Sequence, residues 1–246
     1  MVPLTRHGWR EMLIGSLALV LVAFMLGWAV WPWLALLVLP VMIWLFAFFR
    51  DPERPIPTQQ FIMVSPADGV VSDITEIEHE PLLDAPAVRV GIFLSVFNVH
   101  VNRSPCDGKV VHVEYKKGKF INAMSHGKAS EQNESNTIVL AEPVGTSERR
   151  VAVVKQIVGL IARRIIFSGR LGETLTRGQR IGMIKFGSRT ELYIPKWLEP
   201  EIQVTVGQKV RGAADVVALL KKPIETTEPA SKSAEFEPVV GRQTPA

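Results

Sequence analysis

The chain has 246 residues, with 28 Lys and Arg against 24 Asp and Glu, a net charge of +4. That length holds one large domain or two small ones. The single cysteine, Cys106, excludes an internal disulfide and is expected to be a small, semi-buried residue.

From Leu13 to Phe49 the chain carries no charged residue. This stretch is too long for a secretory signal and has no small-residue cleavage pattern near its end. One straight membrane span needs about 20 apolar residues, and this stretch is nearly twice that. It is interrupted at Gly27-Trp28 and Trp31-Pro32-Trp33, a cluster that reads as a turn with interfacial tryptophans. The expected segments are Met12–Val30 and Trp33–Phe49, the second short and containing Pro40. A hairpin crossing the bilayer twice and a re-entrant pair dipping into one leaflet both remain open. In either, the two ends share one side. Arg6 and Arg10 precede the hairpin and Arg50 and Arg54 follow it, which places both ends in the cytoplasm. A buried core helix pair is disfavoured, because too little chain remains to surround it.

Asp51-Pro52-Glu53-Arg54-Pro55-Ile56-Pro57 suits an extended connector. Beyond it, short runs rich in valine and isoleucine alternate with Gly, Pro, Asn and Asp, the pattern of a β-rich domain. Expected strands are 69–77, 87–94, 108–115, 136–141, 150–158, 165–167, 180–184, 190–194 and 216–220, with a short helix or turn at Gly159–Arg164. The sequence also repeats itself. Ser65-Pro66-Ala67-Asp68-Gly69-Val70-Val71 matches Ser104-Pro105-Cys106-Asp107-Gly108-Lys109-Val110. Arg177-Gly178-Gln179-Arg180-Ile181-Gly182 matches Val206-Gly207-Gln208-Lys209-Val210-Arg211-Gly212. The fold class expected is a mainly β soluble domain behind an N-terminal α-helical membrane hairpin. The β domain reads as a duplicated β sandwich or flattened barrel, similar to biotinyl/lipoyl-type carrier folds, a likeness that carries no function by itself. The expected division is a membrane anchor at 1–50, a β domain at 51–222 and a polar, disordered tail at 223–246.

Four places could carry chemistry. Asp68 sits in the turn Ser65-Pro66-Ala67-Asp68-Gly69, where an aspartate ordinarily caps its own backbone. His100 lies in Asn98-Val99-His100-Val101-Asn102-Arg103-Ser104-Pro105. His126 and Gly127 precede Lys128-Ala129-Ser130-Glu131-Gln132-Asn133-Glu134-Ser135-Asn136, a polar segment expected to be a surface loop. Gly187-Ser188 is an ordinary turn dipeptide by itself, but a serine hydroxyl can attack the carbonyl before it, and glycine leaves that carbonyl uncrowded.

Phe48-Phe49-Arg50-Asp51-Pro52-Glu53-Arg54, Ser65–Gly69, Asn98–Pro105, Lys128–Glu131, Gly159–Arg164 and Phe186-Gly187-Ser188-Arg189 occur in that order. Together they resemble the short bacterial and archaeal form of phosphatidylserine decarboxylase, from about Arg50 to about Leu220. The resemblance implies a proenzyme that cuts itself between Gly187 and Ser188 and converts Ser188 into a covalent pyruvoyl cofactor. It implies that phosphatidylserine forms a Schiff base with that group and leaves as phosphatidylethanolamine and CO2. Ser188 needs a base to take its proton, and an aspartate to orient that base. The family uses an Asp-His-Ser set, whose outer members match Asp68 and Ser188. Longer members carry two histidines three positions apart; here His100 holds the first place and Arg103 the second. His100 is taken as the base, with His126 in reserve. Arg103, His126, Lys128 and Glu131 are assigned to the substrate, Arg103 as holder of a carboxylate or phosphate. Arg50, Arg54 and Lys128 would favour an anionic lipid. The implied partners are the membrane, its phospholipid and the two chains of the cleaved proenzyme, with a homo-oligomer left open and no nucleic acid. No metal-ligand cluster is visible. Three other readings stand beside this one. A tethered carrier module would want a modifiable lysine at a hairpin tip, and Lys185 lacks the flanking methionines. A serine hydrolase would want the Gly-x-Ser-x-Gly context. An ether-lipid analogue would keep the chemistry and change the lipid.

Overall fold

A computed structural model of the chain describes residues 3–121, 126–145, 147–160, 164–185 and 187–224. The expected tail lies outside the described residues apart from its first two positions, as does half of the Gly159–Arg164 motif, residues 161–163. The chain divides into two units, one of residues 1–53 and 96–99, the other of residues 54–95 and 100–246.

The first unit is the helical hairpin. Helix α1 spans Trp9–Ala29; after a turn, a 3-10 segment at Pro32–Leu37 runs into helix α2, Val38–Phe48. With its preceding turn, α1 forms a 24-residue segment long and apolar enough to cross a membrane, and none of its apolar window is buried within the protein. Apolar residues surround α1 on every side, the composition of a helix solvated by something other than water. Pro32–Phe48 is shorter. Pro40 is tolerated because it falls in the first turn of α2, where backbone N–H groups have no intrahelical partner. The helices touch where Gly15 faces Leu45. The hairpin ends are tied together: Thr5 N donates to Phe49 O at 2.9 Å and Asp51 N to Pro3 O at 2.7 Å. Arg50 caps α2 at Ala47 O and also holds Phe97 O, both at 2.7 Å.

The second unit is mainly β. Its strands are β1 (Ile62–Val64), β2 (Gly69–Glu80), β3 (Ala85–Leu94), β4 (Val101–Arg103), β5 (Gly108–Lys116), β6 (Ser135–Val144), β7 (Ser147–Val158), β8 (Arg164–Phe167), β9 (Thr174–Leu175), β10 (Arg180–Lys185), β11 (Ser188–Pro195), β12 (Pro200–Ile202), β13 (Lys209–Val210) and β14 (Val216–Leu220). An eight-stranded sheet, ordered β13-β2-β3-β11-β7-β6-β5-β9, curls into half a barrel. Two three-stranded sheets accompany it, β4-β10-β8 and β1-β14-β12. Strand alternation sends Val90, Ile92, Leu192, Ile138, Leu140 and Val154 into one core. Every expected strand is present, several of them longer. β1, β4, β9, β12 and β13 are two or three residues each, too short to show a period. The segment expected as a surface loop opens instead as helix α3, His126–Gln132.

The internal repeat is real at the level of single hydrogen bonds. Ser65 Oγ donates to Ala67 O, and Ser104 Oγ to Cys106 O, each at 2.7 Å. Asp68 Oδ1 accepts from Gly212 N at 2.8 Å, and Asp107 Oδ1 from Arg177 N at 2.7 Å. Ser65 O accepts from Ala213 N and Ser104 O from Gly178 N; Val71 O accepts from Gly207 N and Val110 O from Gly172 N. The two turns interlock reciprocally, Val64 N to Pro105 O and Arg103 N to Pro66 O, both at 2.9 Å. The second repeat holds as well: Thr176 N and Thr205 N donate to Gln179 Oε1 and Gln208 Oε1 at 2.9 and 3.0 Å, and Gln179 N and Gln208 N donate back to Thr176 O and Thr205 O. Where these loops meet the first repeat, a different pairing applies. Gly207 corresponds to Gly172, and Gly178 to Ala213. All four hold φ between 65° and 89°, the left-handed backbone these turns require. Cys106 is buried inside this pair of turns, and burial, with the Asp107 carboxylate, pushes its thiol well above its ordinary pKa.

Asp107 is thus a structural cap. Asp107→Ala strands the buried-side Arg177 N–H and is expected to cost about 1–3 kcal/mol in denaturant unfolding. Asp107→Asn keeps the accepting oxygen and should lose less than half of that.

Candidate active site

Strand β10 belongs to a small sheet and β11 to the middle of the large one, between β3 and β7. The chain changes sheets between Lys185 and Ser188. Gly187 makes the change with φ 62°, a backbone that costs roughly 1–2 kcal/mol with a Cβ. Ser188 then pairs with Leu94 on one side and Val158 on the other. It is fully buried, and its Oγ makes no hydrogen bond among the described residues. A buried hydroxyl left in that state costs about 1–3 kcal/mol, which packing alone does not require, since alanine would fit. An orphaned group of this kind asks for a chemical explanation.

One rung below Ser188, on the same face of β11, lies a belt of buried amides. Asn102 Nδ2 donates to Thr190 Oγ1 at 3.1 Å and to Pro66 O at 3.4 Å. Gln156 Nε2 donates to Asn102 Oδ1 at 2.9 Å, and Asn136 Nδ2 to Gln156 Oε1 at 3.0 Å. The belt separates Ser188 from the apolar core and bolts β4 to the large sheet. Sequence reasoning assigned none of these four residues a role. The available signal was the polar Gln156 within the apolar run Val153-Val154-Lys155-Gln156-Ile157-Val158, but its partners come from three other strands.

His100, two residues before Asn102, is completely buried. Its carbonyl accepts from Ile184 N at 3.2 Å, so the segment leading into β4 runs beside the end of β10, three residues before Gly187. Asp68 joins the same neighbourhood through Pro66, whose carbonyl takes both Asn102 Nδ2 and Arg103 N. Its Oδ1 caps Gly212 N, as Asp107 does in the other repeat, and its Oδ2 holds Arg54 at 2.6 Å. Arg54, expected to meet lipid, therefore carries an internal ion pair. Arg103 is buried and donates to Gly178 O at 3.2 Å, inside the duplicated turns. His126, Lys128 and Glu131 all belong to α3, with Glu131 exposed. The same helix buries Ser130, which donates to Glu191 Oε2 at 2.9 Å. Asn133, just beyond α3, donates to Val158 O at 2.8 Å and Ile121 O at 2.7 Å, holding the 119–121 segment against the strand that flanks Ser188.

The opposite face of β11 is charged. Arg189 is fully buried and reaches Asp73 Oδ1 at 2.5 Å, Glu191 Oε1 at 2.8 Å and Ser72 Oγ. Gly91 makes the passage possible: a Cβ there would lie 2.0 Å from the guanidinium. Arg89 adds a second contact to Asp73 at 3.1 Å, and Tyr193 donates to Glu191 at 2.8 Å. Burial pushes the Asp73 carboxyl up, but Arg189, Ser72 and Arg89 outweigh it and hold the pKa below the ordinary value. Burial also raises the Tyr193 phenol, and Glu191 adds to it. Burial lowers Lys155, whose Nζ donates to Ser130 O at 2.8 Å.

Residues 41–218, more than half of the chain, match the family model described as phosphatidylserine decarboxylase. The chain is 42% identical over 217 residues to a phosphatidylserine decarboxylase proenzyme of Paraburkholderia phymatum, covering 88% of this chain and 97% of that one. It is 43% identical over 222 residues to the proenzyme of Ralstonia nicotianae, covering 88% and 95%. It is 47% identical over 190 residues to that of Carboxydothermus hydrogenoformans, covering 77% and 85%. The class set by a curled β domain with a buried serine after a glycine turn thus has a name: the chain belongs to the phosphatidylserine decarboxylase family. Among the described residues, no group of three or more His, Cys, Asp or Glu converges as metal ligands would.

A depressed carboxyl stabilises the fold above its unfolded pKa, near pH 4, and loses that contribution as pH falls through its folded value. Asp73→Asn is therefore expected to be less stable than the wild type at pH 7, with the gap closing progressively below about pH 4. Unfolding curves across pH 3–7 check this; a gap independent of pH would contradict it.

Proposed function

We propose that this chain is a self-processing decarboxylase that converts phosphatidylserine to phosphatidylethanolamine and CO2. The observation that carries it is the buried Ser188 Oγ, without a hydrogen bond among the described residues, next to a left-handed Gly187. In self-cleavage, Ser188 Oγ bonds to the Gly187 carbonyl carbon, the peptide C–N bond breaks, and the freed nitrogen takes the proton. Loss of the Ser188 α-proton then breaks the Cβ–Oγ bond and expels the Gly187 carboxylate. One water enters and one ammonia leaves, so residue 188 becomes a pyruvoyl group at the head of the second chain. That group supplies an electron sink for the substrate amine, which is how it serves decarboxylation. The site suits it, because the strand pairs on both sides of residue 188 fix its position while the amide belt below keeps solvent out.

His100 is the base that takes the Ser188 proton. The support is geometric: His100 is completely buried, its carbonyl accepts from Ile184 N three residues before Gly187, and Asn102, two residues on, bonds Thr190 one rung from Ser188. Asp68 acts from the Pro66 turn as the third member, with Arg54 paired to its other oxygen. His126, Lys128 and Glu131 on α3, with Arg103, serve the headgroup. Residues 1–50 anchor the enzyme, residues 51–222 carry the chemistry, and the chains 1–187 and 188–246 stay together as a heterodimer. Arg6, Arg10 and Arg50 put the anchored end on the cytoplasmic side. The duplicated turns favour a carrier-type hybrid ancestry for the β domain.

The intact mass of the purified protein tests this. Two fragments are expected, the smaller blocked to N-terminal sequencing because it ends in a ketone. Ser188→Ala should give one uncut chain without activity. His100→Ala should slow cleavage roughly 100-fold or more; processing at the wild-type rate would remove His100 from that step.

A further inference from the structure

Cleavage leaves the reactive group on a new chain end, and chain ends fray unless they are tied down. Here the first residue after that end is Arg189, one of the largest fully buried side chains among the described residues. Its partners come from both sides of the cut. Asp73 and Ser72 lie on β2, in the chain before the cut, and Glu191 lies in the chain after it. The contact to β2 passes over the whole of strand β3, through the gap left by Gly91. The same cluster reaches α3 through Glu191 and Ser130, and β7 through Lys155 and Ser130.

We propose that Arg189 is a positioning residue: a buried clamp that keeps residue 188 in register between β3 and β7 after the peptide bond is cut. This rests on the cleavage reading above. Before cleavage, residue 188 is held from both directions along the chain, so the clamp is redundant. Afterwards the β10 tether is gone, and the guanidinium fork shared by Asp73 and Glu191 anchors the first turn of side chains in its place. Lysine could not serve equally, because a single ammonium cannot span both carboxylates with the fork geometry of arginine. The clamp acts at one residue's distance and touches neither substrate nor the reacting atoms.

The test perturbs the remote partner and leaves the cleavage sequence intact. Asp73→Asn is made in the full chain and again together with Ser188→Ala, which stays uncut. The expected result is a thermal shift at least twice as large in the cleaved protein as in the uncut one. Self-cleavage stays complete, while kcat falls roughly 10- to 100-fold, the scale of a small misplacement of reacting groups, and KM changes less than twofold. A residue that merely supports the fold would lower both melting temperatures equally, and that result overturns the clamp. A wild type that gives a single uncut mass overturns the cleavage reading and the clamp with it, and is distinguished at once from the first case by showing no fragments. Should Asp73→Asn not fold, hydrogen exchange on the unmutated cleaved protein and on Ser188→Ala decides the matter. Equal protection of the amides of residues 189–192 in the two supports the clamp, and loss of that protection on cleavage overturns it.

Discussion

Strand β11 is buried on every residue from Ser188 to Pro195, and much of the molecule follows from that. A strand covered on both faces is ordinarily an apolar run. This one begins Ser-Arg-Thr-Glu before it becomes Leu-Tyr-Ile. Each of those polar groups must find a partner or carry a penalty. Arg189 and Glu191 find theirs in Asp73, Tyr193 and Ser130, and Thr190 finds Asn102. The serine hydroxyl, which has no hydrogen bond among the described residues, is the exception. The polar half of the strand is therefore two systems back to back, an amide belt on one face and an ion cluster on the other, with Ser188 at their common end.

The duplicated turns supply the frame around this strand. They place Asp68 and Asp107 in the same structural role, each capping a loop from the far end of the domain. The difference between the copies is informative. Asp68 has a second oxygen committed to Arg54 and shares the Pro66 turn with the His100–Arg103 segment. A symmetric scaffold has thus been used asymmetrically, with one turn beside the serine strand and its twin against the buried Cys106. The functional neighbourhood depends on a structural repeat, which is why a turn aspartate is both a cap and a candidate for chemistry.

Much of this was legible in the sequence where the signal is local. The strands 69–77, 87–94, 108–115 and 150–158 lie where expected, because valine- and isoleucine-rich runs bounded by turn residues are visible in consecutive positions. The uncharged stretch before Arg50 likewise announces its helices. Gly187, at the turn between sheets, and Ser188 after it were singled out together from adjacency. Helix α3 was misread as a loop because His126–Gln132 is short and polar and has no apolar stripe. The second repeat was legible in its Gly-Gln letters, which form the same turn twice, but the pairing of those loops with the first repeat, six residues out of that match, was not, because it depends on tertiary contact.

By itself, the sequence determined the apolar hairpin, the β-rich domain behind it and the Gly187-Ser188 junction, since each depends on neighbours along the chain. Only the tertiary structure decided that Asn136, Gln156, Asn102 and Thr190 form one belt, that Arg54 belongs to Asp68, and that Arg189 is buried against Asp73 across a strand. Those residues lie tens of positions apart, and their polarity in isolation reads as surface. Burial at the centre of a sheet turns that polarity into an obligation to pair, and the pairing then locates the site.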